Sequence, residues 1–159
     1  MGIRKRIDEA GGKICEVLIP IKKEYYIGRG DATAICTLSS IGLLEKISRS
    51  DEIMNRIAIA GRLLSENKGI DAMISFALAH PKLQKIILCG QEVKGHRAGQ
   101  ALLSLSRNGI DKGGRIIGAL GPYAILRSPQ SSVGTFRRQV IILDMVGTTE
   151  VASIARLVT

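Results

Sequence analysis

The sequence predicts an α/β fold of three layers, with a mostly parallel sheet between helices. Two observations predict it. Short apolar runs of strand length alternate along the chain with longer segments whose apolar residues recur at helical spacing. Loops that are polar or contain glycine follow these apolar runs, and in a parallel sheet such loops gather at the edge where ligands bind.

The 159 residues predict one domain covering 1–159, because no internal repeat or linker interrupts them. The hydrophobic residues, 45% of the chain, are spread through short runs, so no membrane span is predicted. The basic N-terminus lacks the apolar region of a signal peptide. Cys15, Cys36 and Cys89 are far apart and lie in apolar stretches, which is typical of reduced thiols in cytoplasmic proteins. We therefore expect a soluble cytoplasmic domain.

The net charge of +9 raises nucleic acid as a partner. Against it, aromatic residues make up only 3% of the chain and tryptophan is absent, so little can stack on bases. The basic residues are also scattered in pairs, such as Lys22-Lys23 and Arg137-Arg138. The pattern favours a solvated surface biased toward anionic ligands, with no nucleic-acid partner.

The elements follow in chain order from these patterns. Residues 1–12 are predicted as a basic lead-in, residues 13–19 as a strand or extended cover, and residues 22–30 as a loop or edge segment. Residues 32–38 are predicted as a strand because they form a short apolar run with β-branched members. After the polar loop at Ser39 and Ser40, a helix is predicted from residue 41 to the region of residue 46.

The rest of the chain continues the alternation. Further strands are predicted at residues 56–60, 86–89, 115–119 and 140–145. Helices are predicted at residues 69–79, 96–108 and 151–158, and loops at residues 62–68 and 121–135. The residues expected in the core strands are Ile35, Ile59, Ile87, Ile117 and Ile142.

Residues 85–109 are the most informative stretch. A buried strand leads through a polar turn into a helix with Ala98, Ala101, Leu102 and Leu105 on one face, which stops at Asn108-Gly109. If the strands are parallel, four loops meet at one edge of the sheet and could hold a large, flat, partly polar ligand through backbone amides and helix N-termini. These loops are residues 38–40, 61–69, 90–99 and 118–122.

His96 and Gly99 form a His-x-x-Gly pattern at the predicted helix start. The positive helix terminus favours the neutral imidazole, which can bind a metal, and Gly99 leaves room for a bulky ligand. The alternative is that His96 only caps the helix and Gly99 permits close packing. No acid, cysteine or histidine cluster lies nearby in sequence, so further metal ligands would have to come from a macrocycle. The other histidine, His80, is predicted to interact with a helix C-terminus.

Several motifs occur in a specific order over residues 24–144, and their order resembles the A subunit of tetrahydromethanopterin S-methyltransferase, which carries the corrinoid in an archaeal complex. The similar segments are YIG (26–28), AICTLSS (34–40), AIAG (58–61), SENKGI (65–70), ILCGQEVKGH (87–96), GQ (99–100), NGID (108–111), RIIGA (115–119) and FRRQV (136–140). The resemblance implies a Rossmann-like domain that binds a cobamide, with His96 as the lower axial ligand of cobalt.

The loops and the resemblance together define the predicted cofactor-binding residues. They are Leu38, Ser39, Ser40, Gly61, Ser65, Glu66, Asn67, Gly69, Lys94, Gly95, His96, Gly99, Gly118, Ala119, Gly121 and Pro122. Glu66 and Asn67 are expected to contact polar substituents or the nucleotide tail, and the alternative is ordinary N-capping by Ser65 or Asn67. No catalytic residue beyond the metal ligand is predicted.

Family membership would make the chain a methyltransferase component. In the family, cobalt takes a methyl group from methyl-tetrahydromethanopterin and passes it to coenzyme M, coupled to sodium export by membrane subunits. The family's membrane-bound members have a C-terminal membrane helix, and this sequence ends at Thr159 without one. We therefore expect a trimmed subunit or a free-standing soluble relative, with other methyltransferase subunits as its partners.

The histidine motif also departs from that of other cobalamin modules, Asp-x-His-x-x-Gly. Lys94 replaces its aspartate, so the carboxylate that orients the histidine must come from elsewhere. Glu92 is one candidate, and the alternative is that Glu92 is a solvated loop charge. The alternative function is a Rossmann-like nucleotide or small-ligand binding protein without corrinoid, although no Gly-x-Gly-x-x-Gly follows any predicted strand.

Overall fold

A computed structural model describes residues 24–158. The predictions for residues 1–12 and 13–19, and the prediction for Cys15, lie outside the described residues. The strands are β1 (Tyr25–Ile27), β2 (Thr33–Cys36), β3 (Ile59–Gly61), β4 (Lys85–Gly90) and β5 (Ile141–Val146). The helices are α1 (Ile41–Ser48), α2 (Asp51–Met54), α3 (Lys68–Ala79), α4 (Ala98–Asn108), α5 (Gln130–Gln139) and α6 (Val151–Ala155).

The strands form a five-stranded sheet in the order β1-β3-β2-β4-β5. Strands β3, β2, β4 and β5 run parallel, and β1 pairs antiparallel with β3 at the edge. The register places Ile35 beside Ala60 of β3 on one side and beside Ile87 of β4 on the other. The prediction of a mostly parallel sheet in a Rossmann-like α/β domain is confirmed.

Helices cover both faces of this sheet, as alternate strand residues require. On one face, Ala34, Cys36, Ile86 and Leu88 pack in a cluster with residues of α3, α4 and α5. On the other face, Ile35, Ile87 and Cys89 pack with residues of α1, α2 and α6. Both faces are therefore buried, and the carboxyl ends of the parallel strands remain at one edge for a site.

One predicted strand is wrong. Residues 115–119 lie outside the sheet and make only isolated antiparallel bridges, Ile110 with Ile116 and Arg115 with Ile125. Ile117 is therefore exposed rather than in a core strand, while Ile35 and Ile87 are buried as predicted. A short apolar run specifies an extended segment, but it does not specify which partner that segment pairs with.

Other predicted bounds also differ. The predicted loop at residues 121–135 ends within α5, which covers residues 130–139; this helix is polar and buries only Val133 and Phe136, so its apolar periodicity is weak. The strand predicted at residues 56–60 begins at Ile59, because the short helix α2 and its turn precede it. Ile59 and Ile142 are half-buried. Within residues 24–158 no helix has the length and apolar character needed to cross a membrane.

Candidate functional site

The loops that follow β2, β3 and β4 are joined by hydrogen bonds at the carboxyl edge of the sheet. The backbone N–H and the hydroxyl of Ser39 both donate to the carbonyl oxygen of Gln91, over 3.1 and 2.8 Å. Ser40 accepts a bond of 2.8 Å from the Gln91 N–H, and an Arg62 amino group donates to the Ser39 carbonyl over 3.4 Å. The three loops therefore form one continuous rim.

The fourth predicted loop, residues 118–122, reaches the same rim although it does not follow a strand of the sheet. Gly121 is buried there, and a Cβ atom at this position would lie 2.3 Å from the His96 carbonyl oxygen and 3.0 Å from Glu66 Oε1. The Tyr123 N–H donates to Glu66 Oε1 over 3.0 Å. The structure thus brings His96, Glu66 and Gly121 together at this edge, but the prediction that all four loops follow parallel strands is wrong for residues 118–122.

Glu66 and His96 form the central pair of the rim. His96 Nδ1 lies 2.9 Å from Glu66 Oε2, and the Glu66 side chain is completely buried whereas 49% of the His96 side chain is exposed. Since the second carboxylate oxygen accepts the Tyr123 N–H, both oxygens are engaged. A carboxylate on Nδ1 leaves Nε2 as the ring nitrogen able to bind a ligand.

Glu92 has a different role from both of its predicted roles. It accepts bonds of 2.8, 2.9 and 2.8 Å from the backbone N–H groups of Val93, Gly99 and Gln100. It therefore satisfies the free N–H groups at the start of α4, and it is neither the partner of His96 nor a solvated charge. The predicted helix start was two residues early: α4 begins at Ala98, so His96 precedes the helix and does not cap it.

Two residues other than glycine adopt positive φ angles in residues 24–158, and both belong to the rim. Leu38 has φ 50° and Arg97 has φ 49°. A non-glycine residue with positive φ is uncommon, and such conformations concentrate at functional sites. Gly99 is buried between these segments, where an added Cβ would lie 3.0 Å from Leu38 Cδ1 and 2.9 Å from Glu92 Oε2. Its missing side chain thus allows close packing, as the alternative interpretation proposed.

The loop before α3 shows the capping that sequence analysis left open. Asn67 is the N-cap of α3 and accepts a bond of 2.6 Å from the Lys68 N–H. The Ser65 hydroxyl accepts one of 2.9 Å from the Gly69 N–H. Ser65 and Asn67 therefore stabilise the start of α3. A role for them in ligand binding stays a prediction.

The other predicted residues lie at varying distances from the central pair. Lys94 and Gly95 are exposed in the turn just before His96, and Pro122 is exposed just after Gly121. Ala119 is buried in the core, and Gly118, with φ 86°, accepts bonds through its carbonyl from Gln100 and Ser104. Gly61 faces β1, because a Cβ there would lie 3.2 Å from Tyr25 Cβ.

Sequence reasoning missed two residues of this site. Tyr123 holds Glu66 through its backbone N–H, and its ring centroid lies 6.5 Å from that of His96. Gln100 binds the turn at residues 118–120. Its side-chain amide donates to the Gly118 carbonyl and accepts from the Leu120 N–H, both over 2.9 Å. The GQ motif at residues 99–100 is part of the family resemblance, but nothing in its spacing predicts which groups the amide binds.

The two described cysteines lie beneath the rim and are poor ligands. Burial raises the pKa of Cys36 to about 12. Burial, followed by the charge of Cys36, raises the pKa of Cys89 to about 12 as well. Both thiols stay protonated at neutral pH. Across residues 24–158 no three histidine, cysteine or acidic side chains are grouped so that they could hold a metal ion.

Comparison with known proteins points to one group of archaeal proteins. The family model that describes the A subunit of tetrahydromethanopterin S-methyltransferase matches residues 15–159. The second form of this A subunit from Methanothermobacter thermautotrophicus is 45% identical over 101 residues, 62% of this chain and 55% of the relative. The second form from Methanothermobacter marburgensis is 37% identical over 135 residues, 82% of this chain and 69% of the relative.

A third relative, the A subunit of the same enzyme from Methanocaldococcus jannaschii, is 33% identical over 139 residues, which are 86% of this chain and 56% of the relative. The matched region therefore spans only between 55% and 69% of the length of these three proteins.

Proposed function

The chain belongs to the family of tetrahydromethanopterin S-methyltransferase A subunits, and we propose that it is the cobamide-binding component of a methyltransferase. The observation that carries this proposal is the exposed imidazole of His96. Its Nδ1 lies 2.9 Å from Oε2 of the buried Glu66 carboxylate, which orients the ring. A histidine that donates one ring N–H to a carboxylate has a defined tautomer and a more basic second nitrogen. That is the arrangement of a histidine that ligates a metal.

The residues present fit a cobamide better than a free metal ion. Residues 24–158 contain no group of three potential ligands, so His96 would be a single protein ligand. A corrin ring brings the remaining nitrogen ligands itself. His96 Nε2 would bind the metal, and Ser39, Lys94 and the backbone of residues 118–122 would contact the ring and its substituents. When bound, the cobamide supplies a cobalt centre that can accept and release a methyl group.

The chain's own residues have three tasks in this function. Glu66 holds the proton on Nδ1 of His96, which keeps the lone pair of Nε2 directed outward. The Tyr123 N–H fixes Glu66, and Gly121 allows the loop to approach His96 closely. The half-exposed position of His96 leaves the site open to other subunits. We propose methylated tetrahydromethanopterin as donor and a thiol as acceptor.

The alternative, a nucleotide-binding protein, has less support at this rim. Phosphates bind where free N–H groups at a helix N-terminus attract an anion. At the start of α4 those groups are already bound by the Glu92 carboxylate. Glu66 places a second carboxylate against the ring of His96, two residues before α4. Two carboxylates at the rim disfavour a phosphate ligand.

The test of the proposed function is cobamide binding with direct detection of the axial bond. The wild-type protein should bind cobalamin, and electron paramagnetic resonance of the cobalt(II) state should show hyperfine splitting that changes when histidine is labelled with ¹⁵N. His96→Ala should abolish that dependence and lower the affinity. His80→Ala is the matched control, because His80 Nδ1 lies 2.7 Å from the Phe76 carbonyl oxygen at the end of α3. Identical spectra for wild type and His96→Ala would refute the proposal.

A further inference from the structure

The edge strand β1 has one packed face and one open face. Tyr26 packs against the cluster formed with α1, α2 and α6. Because successive side chains of a strand point to opposite faces, Tyr25 and Ile27 point to the face that α3 covers. Their exposed fractions are 53% and 62%. Two large apolar side chains of one strand thus lie open on this face.

The connections of the sheet explain why this face is open. Helix α3 joins β3 to β4 and packs on one face of the sheet, whereas α1 and α2 join β2 to β3 and pack on the other. Strand β1 lies beyond β3 at the edge, and residues 28–32, which join it to β2, contain no helix. Within residues 24–158, therefore, no connecting helix is left to cover β1 on the α3 face.

The open face forms the floor of an apolar groove along β1. A cavity of about 460 Å³ lies between the sheet and α3, and a second one of about 390 Å³ continues it toward the end of α3. Ile27 and Phe76 line both cavities. Tyr25, Ile59 and Met73 add further apolar walls to the first. A groove of this composition is suited to apolar side chains.

The chain reaches this groove from the residues that precede β1. Glu24 lines the first cavity, so the residues before it start at the groove. The apolar run ICEVLI (14–19) is separated from Glu24 by residues 20–23. These span at most about 14 Å when extended, and connections of four or five residues commonly join antiparallel segments. Pro20 also suits a turn. The apolar run can therefore fold back over β1.

The order of residues in this run indicates which side faces the groove. In an extended segment Cys15, Val17 and Ile19 share one side, and the charged Glu16 lies on the other. We propose that residues 14–19 cover the groove, with the uncharged side facing β1. The segment then covers the sheet edge, as proteins commonly do with a helix or a loop. This role does not depend on the cobamide.

A segment of the same chain suits the groove better than a separate molecule. Two side chains of β1 contribute little of the roughly 800 Å² that each partner supplies to a stable protein interface. A small ligand needs precisely placed polar groups to orient it, and in the first cavity the only charged residues among those described are Glu24 and Arg62. An attached segment binds at a high effective concentration, so a small apolar groove is enough to hold it.

Cys15 tests the proposal in the full chain, because it lies on the proposed inner side. Iodoacetamide at pH 8, with peptide mapping, should label Cys15 of the folded protein at least roughly tenfold more slowly than in the urea-unfolded chain. Ile27→Thr should raise the rate in the folded protein roughly tenfold and lower the melting temperature by roughly 3–6 °C. Ile141→Thr, in the other edge strand and 67% exposed, is the matched control and should change neither.

Three results would overturn the inference. Labelling of Cys15 in the folded protein at the rate of the unfolded chain would show that residues 14–19 leave the groove open. Equal effects of Ile27→Thr and Ile141→Thr, or none from either, would place the segment elsewhere. A wild-type dimer in light scattering that Ile27→Thr converts to a monomer, with Cys15 freely reactive, would assign the groove to a second copy. Labelling needs no cofactor, so these outcomes are independent of the test of cobamide binding.

Discussion

Glu66 Oε2 and His96 Nδ1 lie 2.9 Å apart, although the two residues are 30 positions apart in the sequence. Glu66 belongs to the loop after β3 and His96 to the loop after β4, and in the sheet order β2 separates these two strands. The contact between Glu66 and His96 therefore joins two loops whose strands are not neighbours in the sheet, because β2 lies between them. It connects a fully buried carboxyl group to a half-exposed ring, and this contact orients the imidazole although the residue two positions before His96 is Lys94 and not an acid.

We expect Glu66→Gln to weaken cobalamin binding by about 10- to 100-fold, the range typical for the loss of a partner that orients a metal ligand. The glutamine amide keeps the shape and one acceptor oxygen, but it removes the charge that makes Nε2 more basic. Absorption titration gives the affinity, and electron paramagnetic resonance reports on the axial nitrogen. Glu52→Gln, at an exposed position on α2, is the control. Wild-type affinity and spectra in Glu66→Gln would show that the carboxylate is only structural.

We expect Glu92→Ala to act on stability and to leave the axial bond intact. The variant leaves the N–H groups of Gly99 and Gln100 at the start of α4, and that of Val93 in the loop before it, without their acceptor, which should lower the free energy of unfolding by about 1–2 kcal/mol. Urea denaturation measures this change. The spectrum of the saturated cobalamin complex should match wild type. A changed nitrogen hyperfine pattern at unchanged stability would instead assign Glu92 to the metal ligand.

The parts of the fold that follow local patterns could be predicted from the sequence. The apolar runs at β2 and β4 and the helical spacing of α3 and α4 identify these elements, because each buries a continuous face. The hairpin at residues 114–126 could not be predicted, since its extended segments pair with each other and not with the sheet. Helix α5 lacks a strong apolar stripe, so only its packing on α3 reveals it.

The residues of the candidate site also fall into two groups, those that the sequence pattern predicts and those that depend on the fold. His96 and the rim loops could be predicted, because strand ends and a rare histidine are visible in the sequence. The partnership with Glu66 could not, because it depends on the order of strands in the sheet. The capping role of Glu92 also depends on where α4 begins, and the positive φ of Arg97 moves that start beyond His96. Sequence spacing contains neither kind of information.

We expect Gly121→Ala to disturb the site directly. The added Cβ would lie 2.3 Å from the His96 carbonyl oxygen and 3.0 Å from Glu66 Oε1, so the loop has to move away from the central pair. Cobalamin affinity should fall by at least about tenfold, with a loss of stability of about 1–3 kcal/mol from overpacking. Gly42→Ala in α1 is the control, because its Cβ meets nothing within 4 Å and alanine favours a helix. Unchanged affinity in Gly121→Ala would show that the loop is not close to the bound cofactor.

We expect the thiols of Cys36 and Cys89 to be unreactive in the native protein. Burial raises both pKa values from 9.0 to about 12, and the thiolate is the form that reacts. In a Cys15→Ser background, iodoacetamide at pH 8 should label neither thiol of the folded protein and both after unfolding. Peptide mapping by mass spectrometry identifies the labelled positions. Rapid labelling of Cys36 in the folded state would show that the rim opens to solvent.

The same shift predicts how stability depends on alkaline pH. The pKa of each thiol is about 12 in the folded protein and near 9.0 in the unfolded chain, so between these values the folded state holds more protons. The contribution of these thiols to stability is therefore complete below about pH 9 and declines as the pH rises toward 12. A Cys36→Ala variant should lose less of its stability than the parent protein over this interval, although it is less stable at neutral pH because a buried side chain is shortened. Urea denaturation at pH 8 and pH 10 measures the difference, and equal losses in both proteins would contradict the assignment of the shift to Cys36.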